Sequence, residues 1–243
     1  MVKKKSIWFK GYKGFIKLFK KKSKFVYLGE EIDKGALVLC NHVNTSAPLS
    51  FELYLDKPTR MWGAHEMNNG LISTYKYQTR VFYHEKRGWN IHLARLYCLL
   101  ASPLTTFFYK GLNLINTYRD VRFKNTLKES LSAIEDGYNV VLFPEDSSNG
   151  YLDTLEGFHL GFVIFLEYAY KKGKDLPIYV TYYNKYNKVH IVDKPVYYSE
   201  LIKNGESREE IAKKLCDRCN QIGVLSNDLS KIDNQDQKKT KIA

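Results

Sequence analysis

The chain has 243 residues, 44% of them hydrophobic, and a formal net charge of +12. These values exclude a chain that is disordered throughout, and they fit one large α/β domain with a full hydrophobic core. The positive charge predicts an anionic partner, and nucleic acid, anionic lipid and phosphorylated substrates all satisfy that requirement.

The first 24 residues form a basic segment with a pattern of its own. At helical spacing its large apolar residues share one face: Trp8, Tyr12, Phe15, Ile16 and Phe19. Lysines occupy most of the other positions. The pattern is typical of a helix lying in the plane of a membrane surface, while a nucleic-acid-binding arm and an ordinary packed helix remain alternatives. We take a basic amphipathic membrane-surface segment as the prediction for residues 1–24.

Strands and helices alternate through the rest of the chain. The predicted strands are 36–40, 59–64, 112–118, 139–143, 176–182 and 189–192. The predicted helices are 48–55, much of 70–110, 125–136, 158–170 and 206–222. This alternation predicts an α/β fold with a mostly parallel central sheet flanked by helices. The α/β domain is expected to span residues 25–225, and a polar tail residues 226–243.

The most apolar stretch, residues 96–109, is shorter than the ~18 to 20 residues that a spanning helix requires. It also contains Pro103, and it is bounded by Arg95 and Lys110. It is therefore expected to be either a core helix or a surface that dips into lipid without crossing. No cleavable signal peptide is predicted, because no apolar run follows the N-terminal lysines. The four cysteines are expected to be free thiols in a reducing cytoplasm.

Two polar clusters follow predicted buried strands. Asn41 and His42 come after residues 36–40, and Pro144-Glu145-Asp146 comes after residues 139–143. Ligands of parallel sheets bind at the carboxyl ends of the strands, so these clusters are candidate site residues. A histidine near its ordinary pKa of ~6.5 is suited to act as a general base near neutral pH. No glycine-rich phosphate loop precedes a helix, which leaves nucleotide hydrolysis unsupported.

Four stretches in order carry a family resemblance: CNHVNTSAPL at 40–49, LINTYRD at 114–120, VVLFPEDSSNG at 140–150 and LPIYV at 176–180. Together they resemble the lysophospholipid and glycerol-phosphate acyltransferase family, over roughly residues 35–195. The blocks of that family are Asn-His followed by four residues and Asp, an apolar stretch ending in Arg, Phe-Pro-Glu-Gly-Thr-Arg-Ser, and an apolar strand around a proline. The Phe-Pro-Glu block is the most specific of them.

The resemblance implies a glycerolipid acyltransferase-like fold and transfer of a fatty acyl group to the hydroxyl of a lysophospholipid or glycerol-phosphate-like acceptor. The acyl donor would be a thioester on coenzyme A or acyl carrier protein, with no bound cofactor or metal. His42 would be the general base. The substrate-binding residues would be Asn41, Arg119, Phe143, Pro144, Glu145 and Ser147. Arg119 would hold the acceptor phosphate, since a guanidinium bonds two oxygens.

Two departures from the family pattern affect the site. Ala47 stands where the family has the aspartate that orients the histidine. In the third block Asp146 stands where the family has a glycine, and Ser148 stands where it has an arginine. A carboxylate from elsewhere would replace the aspartate, with Asp146 the first candidate, before Glu66 and Glu52. A backbone carbonyl that fixes the ring tautomer is a further possibility. The remaining alternative is a catalytically silent, lipid-binding member of the same fold.

The expected location is peripheral, on the cytoplasmic face of a membrane. The expected partners are an anionic membrane surface and a lysophospholipid acceptor, with acyl carrier protein as a further candidate. Nucleic acid is not expected, because only the overall charge points to it.

Overall fold

A computed structural model describes residues 2–146, 150 and 152–240, and the side chains of all of these except 228–240. Within these residues one sheet has eight strands: β1 (Lys24–Tyr27), β2 (Leu37–Cys40), β3 (Thr59–Ala64), β4 (Ile115–Thr117), β5 (Asn139–Leu142), β6 (Pro177–Asn184), β7 (Val189–Val192) and β8 (Val196–Tyr197). The strand order is β1-β7-β6-β2-β5-β3-β4, with β8 beside β6. All neighbours are parallel except β6 with β7 and β6 with β8. The predicted α/β fold with a mostly parallel sheet flanked by helices is confirmed.

The helices of the described chain are α1 (Ile7–Phe19), α2 (Ser46–Tyr54), α3 (His65–Asn68), α4 (Gly70–Tyr77), α5 (Ile91–Leu112), α6 (Phe123–Glu135), α7 (Gly161–Lys171), α8 (Tyr198–Leu201) and α9 (Arg208–Thr240). A π-helical segment, Gln78–Glu85, joins α4 to the loop that precedes α5. The four helical segments from α3 to α5 are one long insertion between β3 and β4.

The two faces of the sheet are both covered, which explains why the central strands are continuous apolar runs. Along β2, Leu37 and Leu39 belong to the core shared with α6, α7 and α9. Val38 and Cys40 belong to the opposite core, shared with α1 and α2. All four residues are fully buried.

Several element boundaries differ from those predicted. The strand predicted at 112–118 is shorter, because α5 continues to Leu112 and ends at Asn113, which has a left-handed φ of 57°. The helix predicted from 158 begins at Gly161, because Phe158 forms a bridge with Glu145. The last helix continues to Thr240 beyond its predicted end at 222. Strand β1 was not predicted, since its four residues alternate between exposed and half-buried and begin with a lysine.

Aromatic packing and two ion pairs dock helix α1 and the residues just before it on the domain. Phe9 is 1% exposed and packs over Gly111 of α5 so closely that a Cβ there would lie 2.0 Å from the ring. Lys5 and Lys13 donate to the buried carboxylate of Glu52 in α2, at 2.6 and 2.7 Å. Because both oxygens of Glu52 bind these lysines, its carboxylate holds α1 in place.

Candidate active site

His42 and Glu145 meet where two neighbouring strands end. β2 and β5 are parallel partners, so the residues that follow them emerge at the same edge of the sheet. The backbone N–H of His42 donates to Oε2 of Glu145 at 2.6 Å. The chain then turns through Asn44, whose φ of 52° is left-handed, a conformation that asparagine tolerates better than most residues. This turn separates His42 from the start of α2.

Asn41 ties the end of β2 to β6. Its Nδ2 donates to the Tyr183 carbonyl at 3.1 Å, and its Oδ1 accepts from the Tyr183 N–H at 2.7 Å. The residue is buried, so both ends of its amide are occupied by the backbone of the neighbouring strand. This bonding gives Asn41 a structural role in positioning His42, while its predicted contact with substrate stays a prediction.

The imidazole of His42 packs edge-on against the ring of Phe143, with a centroid separation of 5.2 Å. Phe143 in turn contacts Phe51 of α2 in the same way, at 6.1 Å. Ala47 is fully buried in this cluster. Position 47, where the resemblance led us to look for an aspartate, is therefore filled by apolar packing, and a carboxylate there would be costly unless it were paired.

Residues 144–146 form backbone hydrogen bonds with residues 157–159 of the same chain. The Asp146 N–H donates to the Gly157 carbonyl at 3.0 Å, and the His159 N–H donates to the Pro144 carbonyl at 2.8 Å. Pro144 and Glu145 are buried, whereas Asp146 is half-buried. The carboxylate of Asp146 lies 3.9 Å from Nε2 of His159.

Burial moves the pKa values of His42 and Glu145 in opposite senses. The pKa of His42 falls to about 4, first because burial disfavours the charged ring and second because of the positive charge of Lys86. Burial raises the pKa of Glu145 to about 7, although hydrogen bonds from the backbone of His42 and Leu152 oppose the rise. Near neutral pH the imidazole is uncharged, as a proton acceptor must be.

All three carboxylates considered as replacements for the missing aspartate lie beside a basic side chain. Glu52 binds Lys5 and Lys13, as described above. The carboxylate of Glu66 lies 3.1 Å from Nδ1 of its neighbour His65. Asp146 lies 3.9 Å from His159, and of the three it is the one adjacent in sequence to Glu145, which binds the backbone of His42.

Arg119 lies at the same edge of the sheet but not beside His42. It is exposed in the loop after β4, where its charge acts on Tyr77 at the end of α4. β5 and β3 separate β2 from β4. At a strand spacing of ~4.8 Å, the two strands that lead to His42 and Arg119 are ~14 Å apart.

Two residues near His42 were missed by the sequence interpretation. Lys86, in the loop before α5, is the charged side chain that acts most strongly on the imidazole. Asn44 has a buried Oδ1 that accepts no hydrogen bond within the described part of the chain. The Asn44 position had a local signal, because asparagine is frequent in left-handed turns. Lys86 had none, because it follows an inserted helical segment far along the chain and only its charge acts on the ring.

Ser147 and Ser148 lie outside the described residues. Across the part of the chain that is described, no group of three or more His, Cys, Asp and Glu side chains has a metal-binding arrangement. Cys216 and Cys219 are buried free thiols on α9. No protein-family model, curated protein or solved structure matches this chain.

Proposed function

We propose that the chain transfers a fatty acyl group from a thioester to the hydroxyl of a lysophospholipid or glycerol-phosphate-like acceptor in phospholipid biosynthesis. One observation carries the proposal. An uncharged histidine and a buried glutamate follow adjacent parallel strands and are joined by the 2.6 Å bond from the His42 backbone to Glu145. The four sequence blocks that resemble glycerolipid acyltransferases include both residues, and the α/β sheet supports that fold assignment.

In the proposed reaction the acceptor hydroxyl donates to the imidazole of His42. The ring takes the proton as the oxygen attacks the thioester carbonyl, and a tetrahedral intermediate forms. When that intermediate collapses, the C–S bond breaks and the thiolate of coenzyme A or acyl carrier protein leaves. The proton on the ring passes to that sulfur, which restores neutral His42. No covalent enzyme intermediate and no metal or bound cofactor is needed.

The other residues position these groups. Glu145 fixes the backbone of His42, and Phe143 limits the rotation of its ring. Asp146 is the proposed carboxylate that stabilises the imidazolium formed during the reaction. Lys86 and Arg119 are the proposed cations for the acceptor phosphate. A bound phosphate would counter the charge of Lys86 and so raise the pKa of His42 towards the working range.

The proposed location is the cytoplasmic face of an anionic membrane. The segment 1–24 carries lysines on α1 and on both of its flanks. Each lysine near an anionic surface contributes about 1 kcal/mol of attraction. Acyl carrier protein, which is acidic as a class, is a further candidate partner for such a surface.

A catalytically silent lipid-binding protein of the same fold is the second candidate. The apolar burial of Ala47 and the low pKa of His42 favour it, because both weaken a catalytic histidine. The two candidates are separated by purified protein, a panel of lysophospholipids and labelled acyl thioesters. Transfer that is lost in His42→Ala but kept in the exposed control His92→Ala supports the enzyme. Lipid binding without acyl transfer from any of the labelled thioesters supports the catalytically silent protein.

A further inference from the structure

Helix α5 has a continuous apolar stripe on its outward face. The stripe consists of Leu93, Leu96, Leu100, Leu104 and Phe107, which are between 41% and 78% exposed. These residues are three or four positions apart, so they lie along one line of the helix. At 1.5 Å per residue the stripe is ~21 Å long. An apolar line of this length on a folded domain indicates an interaction surface.

The opposite face of α5 is held by the protein along the length of the helix. Ala94, Cys98, Ser102 and Thr106 are buried. Ser102 donates from its hydroxyl to Oε1 of Gln78 in the π-helical segment, at 3.2 Å. Within the described residues, α5 is the one helix with the length and hydropathy to cross a membrane. Because one face is bound to the domain, lipid can contact only the other, and the helix fits an in-plane position.

The apolar stripe continues onto α1. Tyr12 packs edge-on against Phe107, with ring centroids 5.8 Å apart. The neighbouring outward side chains of α1, Trp8, Phe15 and Phe19, are between 58% and 78% exposed. Tryptophan, phenylalanine and leucine side chains occupy the apolar face of helices that lie in a membrane interface. The outward residues of the two helices form one surface, here called the α1–α5 face.

The charges around this face are positive. Neither α1 nor α5 contains Asp or Glu. A shallow groove of about 410 Å³ along α1 is lined by Lys4, Lys10 and Lys17, together with Lys5 and Lys13, which are paired with Glu52. A second copy of this chain would bring a like charge of +12 to the same surface, which opposes self-association. An anionic leaflet complements both the apolar stripe and its basic border.

We propose that the α1–α5 face lies in the plane of an anionic lipid leaflet, with the leucine stripe of α5 as its main inserted element. The proposal deepens the proposed function by naming the surface that brings the site to its lipid. α5 begins five residues after Lys86, whose charge acts on the ring of His42. The segment 1–24 would then be one part of a larger docking surface.

Depth measurements test the in-plane position directly. The four cysteines are buried, so a single introduced thiol can be labelled selectively. We expect an environment-sensitive dye on Leu93→Cys, Leu100→Cys or Phe107→Cys to be quenched equally by lipids that carry quenchers at a shallow depth. A label at position 100 that is clearly deeper than those at 93 and 107 would indicate a spanning helix and overturn the proposal.

A charge-insertion pair tests the contribution of the stripe. We expect Leu96→Asp with Leu100→Asp to lower the binding of the full chain to phosphatidylcholine–phosphatidylglycerol vesicles at least tenfold. The matched control Val224→Asp with Leu225→Asp also introduces two charges at exposed apolar positions, here on α9, and should leave binding unchanged. Far-UV circular dichroism establishes that each variant is folded.

Two outcomes would contradict the proposal. The first is vesicle binding that the double variant leaves intact. The second is a dimer, seen by light scattering, that the double variant dissociates while the wild type shows no vesicle binding. Acyl transfer to a soluble short-chain lysophospholipid is measured separately, because this assay does not require binding to vesicles. The proposed activity and the proposed membrane surface can therefore be refuted independently of each other.

Discussion

Replacing Glu145 by glutamine should change how stability depends on pH. Burial raises the pKa of this carboxyl from 4.5 to about 7 in the folded chain. Between these two values the unfolded chain ionises while the folded chain keeps the proton, so the folded state loses stability as the pH rises. A difference of this size corresponds to a loss of at most about 3 kcal/mol, which solvent screening reduces and which is nearly complete about one pH unit above the folded pKa. Below pH 4.5 the group contributes its full stability.

Glutamine isolates this contribution because it cannot titrate and its amide oxygen still accepts from the His42 N–H. His42 and His190 act in the opposite sense, since burial lowers their pKa values to about 4 and about 3. Their contribution is present above pH 6.5 and is lost as the pH falls, and it is common to both proteins. It therefore cancels when Glu145→Gln is compared with the wild type.

Urea unfolding followed by circular dichroism at pH 5 and pH 8 measures the effect. We expect the stability of Glu145→Gln relative to the wild type to be higher at pH 8 than at pH 5 by up to about 3 kcal/mol. The exposed control Glu135→Gln should show no comparable change between the two pH values. A stability difference for Glu145→Gln that is the same at both pH values would refute the assignment of Glu145 as a carboxyl that loses its proton only near pH 7.

Two further predictions concern the charge at the site and the docking of α1. Lys86→Gln should raise the pKa of His42, because the lysine charge lowers it. NMR titration of the imidazole measures this pKa in Lys86→Gln and in the control Lys172→Gln, which should leave it unchanged. Gly111→Ala should destabilise the fold by about 1 to 3 kcal/mol, because its new methyl would overlap the aromatic ring of α1 that packs there. Gly14→Ala has open space around it and should stabilise the exposed helix by up to about 1 kcal/mol, which thermal unfolding of both variants would show.

The central sheet was predictable because its strands are continuous apolar runs that end in polar residues. Burial on both faces requires such runs at β2 and β5, and both strands were placed to within a residue. The pairing of these two strands also brings His42 and Glu145 together, as expected for groups at the carboxyl ends of parallel strands. Sequence reasoning succeeds here because buried parallel strands produce both the apolar runs and the edge of the sheet at which the site lies.

The surroundings of the site were less predictable, because they depend on how the insertion between β3 and β4 folds back. Lys86, whose charge lowers the pKa of His42, follows a π-helical segment that no periodicity indicated. The apolar stretch 96–109 was recognised, but the sequence left open whether its helix is a core helix or a lipid-facing surface. Burial of one face and exposure of the other are settled only by the packing of α5 against its neighbours.

The central claim is that the imidazole of His42 removes the proton from an acceptor alcohol. The most direct test is the single-turnover rate of acyl transfer from a labelled thioester to a lysophospholipid, compared between the wild type and His42→Gln at equal lipid binding. A general base contributes about 10² to 10⁴ in rate, so we expect the variant to be slower by that factor. Equal rates for the two proteins would contradict the claim.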